Sequence, residues 1–370
     1  MTPSRLHFPP LALAMLSLIL AVLAGLMRLG WAVPTIDARW MAAHGPLMVA
    51  GFLGTLITLE RAVALGRRWM YAAAALSGLG GLLLLAGFPQ IARLLAVLGS
   101  LGLVLIFVVI LRRHLAAYTV TMALGALAWL AGNVLWLAGW SVPRLVPWWG
   151  AFLILTIAGE RLELGRLVDL PPGARTAFGA AVALLGSGLL VSLAAFDGGV
   201  RIAGAGMVVL SIWLYRFDVA RKTVRKPGLT RFIAVCMLGG YVWLAVGGLL
   251  GVVWGGVTGG AGYDAQLHAV FLGFVFSMIF GHAPVIFPAI MGRAVGYSPL
   301  FYIHLAFLHA SLALRIAGDL LDAFLVRRWG GMLNAVALLI FLVNTVRAVL
   351  RSKNTLPFGK VSFSGDRPDA

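Results

Sequence analysis

From Phe8 to Leu350 the chain returns, after every short polar break, to an apolar run of about twenty residues. A helix of that length covers roughly the 30 Å of a bilayer's hydrocarbon, and in lipid each backbone N–H and C=O must be satisfied within the element itself. The chain therefore reads as an all-α, polytopic membrane protein. Composition agrees, because charged residues make up 11% and hydrophobic ones 61% of the 370, against roughly a quarter charged in soluble domains.

Cutting at charged and Pro/Gly-rich breaks gives twelve segments, near 9–28, 41–65, 69–88, 91–112, 116–140, 145–167, 174–196, 200–218, 230–254, 264–288, 297–318 and 329–350. They form one transmembrane domain over 1–351. Residues 352–370 are polar and are expected to be a disordered tail. The first segment runs into Arg28, Trp31 and Pro34 without a small-residue cleavage site, so it reads as a retained helix.

The net charge of +17 is mostly loop arginine and calls for anionic lipid rather than nucleic acid. Breaks after even-numbered segments carry Arg67, Arg68, Arg112, Arg113, Arg166, Arg175, Arg221, Lys222, Arg225 and Lys226, and the tail adds Arg351, Lys353 and Lys360. Breaks after odd-numbered segments hold little beyond Arg93, Arg144 and Arg201, with Arg327 and Arg328 as the exception. The positive-inside rule then puts both termini in the cytoplasm, and the expected location is a bacterial inner membrane. Cys236 is the only cysteine, which excludes an intrachain disulfide and a covalent CxxCH haem attachment.

A weak repeat links segments two, six and ten. Phe52 precedes Glu60 by eight residues, Phe152 precedes Glu160 by eight, and Phe274 precedes His282 by eight. The interval of four segments suggests three four-helix units in series.

Histidines inside spans are expensive and point to function. His44, in WMAAHGPLMVAGF, and His268, in DAQLHAVFLGF, each lie a few residues inside the same end of parallel segments. Two imidazoles at one depth can clamp a haem b from both faces. The plainer alternative is a pair of interfacial histidines, with the helix of His44 starting only at Pro46. A second set, His282, His304, Glu60 and Glu160, falls toward the other side and offers ligands for copper or another transition metal. The alternative there is ionic anchoring by Glu60-Arg61 and Glu160-Arg161, with His282 satisfying a carbonyl freed by Pro284. His309 lies five residues from His304, roughly 140° around the helix, so the two do not share an ion. It is either a third haem or metal ligand or a buried hydrogen-bonding residue. Arg315 has two candidate partners, a haem propionate or Asp319 at i+4. Trp129, Asn133, Trp136 and Trp140 share one helix face and read as a packing stripe, and the glycines around 239–251 as close helix contacts.

The AHGPLMV stretch at His44 resembles the second helix of haem-copper oxidase subunit I, where an AHG-type motif carries a low-spin haem ligand. Twelve helices in three four-helix units resemble that superfamily as well. LHAVFLGFVFSMIFGHAPVIFP, followed by HLAFLHASLALRIAGDL, is similar to the NnrS family of haem- and copper-containing membrane proteins linked to nitric oxide and nitrosative stress. The resemblance implies that His44 and His268 are the low-spin haem ligands. It departs from the oxidases in having no histidine in segments six and seven, and Gln266 and Val270 flank His268 where a second histidine would stand. The oxidase copper site is thus not expected, nor is oxygen reduction by that route. The reading is of a haem-dependent redox or nitric-oxide-handling protein served by an electron-donor protein. Two alternatives stand beside it, a proton-coupled secondary transporter using Glu60 and Glu160 and a haem- or metal-delivery factor.

Overall fold

The computed structural model bears out the all-α, multi-pass architecture. Its described residues are helix and connecting turn, and among them twelve helices are long and apolar enough to span a membrane. The structure describes residues 6–33, 37, 39–165, 170–291 and 296–351. Pro34, Arg166, Lys353, Lys360 and the tail from 352 lie outside the described residues.

Each expected segment is one helix: α1 Phe8–Arg28, α2 Trp40–Leu65, α3 Arg68–Leu85, α4 Pro89–Arg113, α5 Ala117–Leu137, α6 Val142–Leu164, α7 Ala174–Ala194, α8 Phe196–Phe217, α9 Leu229–Trp254, α10 Gly260–Pro288, α11 Phe301–Leu320 and α12 Phe324–Arg351. The earlier start of α12 accounts for the exception in the charge pattern. Arg327 and Arg328 are in its first turns, where Arg327 donates to Asp319 and Arg328 donates to the Gly30 carbonyl over the Trp31 ring. Both serve as structural contacts rather than loop charges.

Burial separates the helices into two classes. The spanning windows of α2, α6 and α10 are 61%, 72% and 67% buried, and no other helix exceeds 50%. The three segments that share the weak repeat are therefore the three inner helices. α10 touches both α2 and α6, while the outer helices pack on one another in sequence and α12 returns against α1. Outer helices turn leucine, isoleucine and valine away from the bundle. Leu190, Ile212, Val253 and Leu339 are each more than half exposed, a surface suited to lipid and costly in water.

Two of the inner helices depart from regular α-geometry at matching places. In α2 the stretch Leu47–Gly54 is π-helical, and in α10 the stretch Ala269–Phe276 is. In α2 the wider turns directly follow Pro46, which lacks an N–H and crowds the carbonyl four residues back. In both, a glycine in the π stretch admits an indole: Trp129 presses on Gly54 and Trp243 on Gly273, so that any side chain at either glycine would collide with the ring. π turns recur at functional sites, and each of these begins within three residues of a histidine. Phe52 and Phe276, eight residues beyond His44 and His268, stack across the seam with centroids 6.2 Å apart.

The tryptophan stripe is packing, as its spacing suggested. Asn133 is fully buried, donates to the Ala96 carbonyl and accepts from Trp149, whose ring meets Trp136 edge-on. The α9 glycines also serve close approach: a Cβ at Gly248 would sit 2.7 Å from the Gly204 carbonyl oxygen on α8.

Candidate functional site

α2 begins at Trp40, so His44 is a residue of its second turn and not of a preceding loop. The ring crosses to α1, where its Nδ1 lies 2.7 Å from the Ala21 carbonyl oxygen. A carbonyl only accepts, so Nδ1 carries the proton and Nε2 keeps its lone pair. The crossing depends on Gly25, one turn along α1 from Ala21. A Cβ at that position would lie 2.9 Å from both Cε1 and Nδ1 of His44.

His268 closes the first turns of α10, and its Nδ1 lies 2.8 Å from the Asp264 carbonyl oxygen. The same tautomer results, again with Nε2 open. Asp264 also holds Arg315 of α11 in a bidentate pair, accepting from Nε at 2.7 Å and from Nη2 at 2.8 Å. Arg315 therefore does not pair with Asp319. That carboxylate is taken by Arg327 from α12, while Asp264 faces the guanidinium fork squarely from α10.

The two imidazoles come together with ring centroids 6.4 Å apart and planes inclined by 28°. A metal-bound imidazole nitrogen sits about 2.0–2.1 Å from its ion. Adding about 1.2 Å from nitrogen to ring centre on each side gives roughly 6.4–6.6 Å for two imidazoles on opposite faces of one ion. The separation equals that of two imidazoles whose Nε2 atoms share a single ion. The donor chemistry fits too, since metal-binding histidines commonly give their other N–H to a backbone carbonyl, which fixes tautomer and ring angle. Both rings do so here, and they stand where α2 and α10 turn π-helical.

The remaining candidates divide by tautomer and neighbours. His309 accepts at Nδ1 from the Trp243 indole N–H, 2.8 Å away and nearly coplanar at 7°. Its proton therefore sits on Nε2, which is buried without a partner, and the nitrogen used by His44 and His268 is not free for a metal. His309 is thus hydrogen-bonded to α9 through Nδ1. His304 is 1% exposed inside a cage of Phe232, Phe280, Phe301 and Phe341. Its Nδ1 faces the Asn344 amide at 3.3 Å. Phe280 stands at 90° to its ring with centroids 4.8 Å apart, a geometry suited to an N–H over a phenyl face.

His282 bonds through Nδ1 to the Met278 carbonyl at 2.8 Å. The carbonyl left free by Pro284 belongs to Phe280, four residues back, so His282 is not its substitute partner. Glu160 is engaged by Arg61 across the α2–α6 contact. Glu60 stands within electrostatic reach of Arg61, Glu160 and His282. Arg161, 4% exposed, donates through Nε and Nη2 to Asp218 at 2.7 and 2.8 Å. Both arginines of the repeated Glu-Arg pairs thus form ion pairs beyond their own helix, Arg61 with Glu160 and Arg161 with Asp218. Among the described residues no three of His, Cys, Asp and Glu gather as a metal site, so His282, His304, Glu60 and Glu160 do not converge as one ligand set.

A family model described as a domain of unknown function, DUF8744, matches residues 5–350. The chain belongs to that family. No curated protein matches it. The DUF8744 match takes in the whole bundle, so the histidine pair and the ion-pair cluster lie within one family domain.

Sequence reading missed the residues that orient the rings. Ala21 contributes only a carbonyl and Gly25 only an absence of side chain, and neither leaves a pattern. Asp264 was legible in principle as the lone acid heading an apolar span, four residues before a histidine.

Proposed function

We propose that this chain is a b-type haem protein of the membrane, whose haem His44 and His268 would hold through Nε2. The observation that carries the proposal is their 6.4 Å centroid separation together with Nδ1 of each ring fixed on a backbone carbonyl. Bound haem would supply one-electron redox chemistry. The protein's part is to hold two neutral imidazoles at a set distance. Ala21 and Asp264 fix their tautomer, Gly25 leaves room for one ring, and the Arg315–Asp264 pair braces the turn that carries the other. The ion pair spans α10 and α11, so the ring of His268 is tied to two helices. Copper is left out of the proposal because, among the described residues, no three of its expected ligands gather.

An NnrS-like role in redox chemistry or nitric oxide handling rests on the motifs around His44 and along α10 and α11. An orientation with both termini cytoplasmic rests on the Lys/Arg pattern, and a bacterial inner-membrane location rests on the NnrS-like motifs. Protein purified from haem-replete cells is expected to be coloured, with a Soret band and sharp reduced α and β bands. A colourless preparation with no haem by extraction contradicts the proposal.

One observation favours a second reading, a proton-coupled carrier. Two part-buried carboxylates, Glu60 and Glu160, stand near one guanidinium, Arg61. Uptake into proteoliposomes that Glu60→Gln abolishes, in a preparation without chromophore, selects the carrier.

A further inference from the structure

We propose that the cavity between the start of α11 and the last two turns of α12 binds the phosphate of an anionic phospholipid. The cavity measures about 310 Å³ and is lined by Tyr297, Ser298, Phe301, Asn344, Arg347 and Arg351 among others. At roughly 30 Å³ per water it has room for about ten waters, which suits a phosphate with its glycerol better than a bare ion.

Several arginines elsewhere in the chain have specific carboxylates: Arg61 has Glu160, Arg161 has Asp218, Arg201 has Asp197, Arg315 has Asp264 and Arg327 has Asp319. Arg347 and Arg351 stand one turn apart on α12, both exposed, and among the described residues neither is in an ion pair. Guanidinium forks match phosphate oxygens in geometry as well as charge. Ser298 accepts from the Leu300 amide and keeps its hydroxyl proton to donate. The Asn344 amide group is turned toward the Leu300 carbonyl and His304, which holds that wall in place.

The surroundings choose a lipid as the source of the phosphate. Leu300, Ile303, Val346 and Leu350 beside the cavity are half or more exposed, at 50%, 51%, 55% and 71%. Exposed apolar side chains suited to acyl chains thus flank the cavity on the same two helices, with its cations at the end of the span. That end also lies on the Arg/Lys-rich side of the sequence pattern, where anionic headgroups attract basic segments.

The test is native mass spectrometry of the full chain from nanodiscs of phosphatidylcholine, with and without phosphatidylglycerol. Wild type is expected to retain phosphatidylglycerol in preference to phosphatidylcholine. Arg347→Gln with Arg351→Gln should weaken that retention by about fivefold per arginine. Arg112→Gln with Arg113→Gln removes equal charge from two exposed sites at the end of α4 and should leave retention unchanged. Three results overturn the proposal: no lipid preference in wild type, equal loss in both double variants, or displacement of the lipid from wild type by inorganic phosphate, which would make the site one for soluble anions. The first and third need no variant, so they decide the matter even if a substitution unfolds the chain.

Discussion

Replacing Gly25 by alanine separates the histidine site from the stability of the bundle. A Cβ there lies 2.9 Å from Cε1 and Nδ1 of His44, whereas such contacts settle near 3.5–4.0 Å. The ring must retreat by about 0.6–1.1 Å. Its bond to the Ala21 carbonyl, now 2.7 Å, is then stretched past the usual limit of about 3.2 Å. Losing that bond costs about 0.5–1.5 kcal/mol, while alanine in a helix interior gains about 0.8–1.0 kcal/mol over glycine. The two nearly cancel, so thermal unfolding should move little. Disturbing a residue that orients a metal ligand typically lowers metal affinity about 10- to 100-fold, so haem content and the six-coordinate spectrum should fall. Gly179→Ala, in α7 with nothing within 4 Å of the added carbon, is the matched control and should leave the spectrum alone. A Gly25→Ala protein with full haem content and an unchanged spectrum would refute the role given to the α1 contact.

Three further substitutions test other parts of the structure. Arg161→Ala strands Asp218, whose side chain is 0% exposed, and is expected to cost about 3–5 kcal/mol in denaturant unfolding; a loss under 1 kcal/mol would mean that the pair is solvated. Trp243→Phe removes the donor to His309 Nδ1 and should cost about 0.5–1.5 kcal/mol with the haem spectrum intact, while spectral loss would make His309 part of the haem site. Arg315→Gln leaves Asp264 unpaired beside His268 and should lower haem retention about 10- to 100-fold. The part-exposed carboxylate softens its effect on stability, and unchanged retention would show that the ion pair does not brace the ring.

Helix count and helix bounds were legible in the sequence because lipid imposes one rule on every span, an apolar length with its own hydrogen bonds satisfied. The interval between segments two, six and ten was legible for a related reason. Polar residues inside a span are affordable only away from lipid, so the helices bearing Glu60, Glu160 and His282 are the inner ones. Depth alone also matched His44 with His268. What depth cannot give is direction around a helix axis or the partner that fixes a ring. His282 and His304 fall at similar depths, yet His304 is enclosed by phenylalanines. Arg315 and Asp319 have a pairing interval, yet Arg315 takes a better-aligned carboxylate from α10. The π stretches were illegible as well, since the indoles of Trp129 and Trp243 that pack on their glycines come from other helices.

The central claim is that His44 and His268 ligate one haem, and electron paramagnetic resonance of the ferric protein reads axial ligands directly. Wild type should give a low-spin bis-imidazole signal. His44→Ala and His268→Ala should each convert it to high spin or lose the haem. A low-spin signal that persists in either variant, or its absence from haem-loaded wild type, would contradict the account.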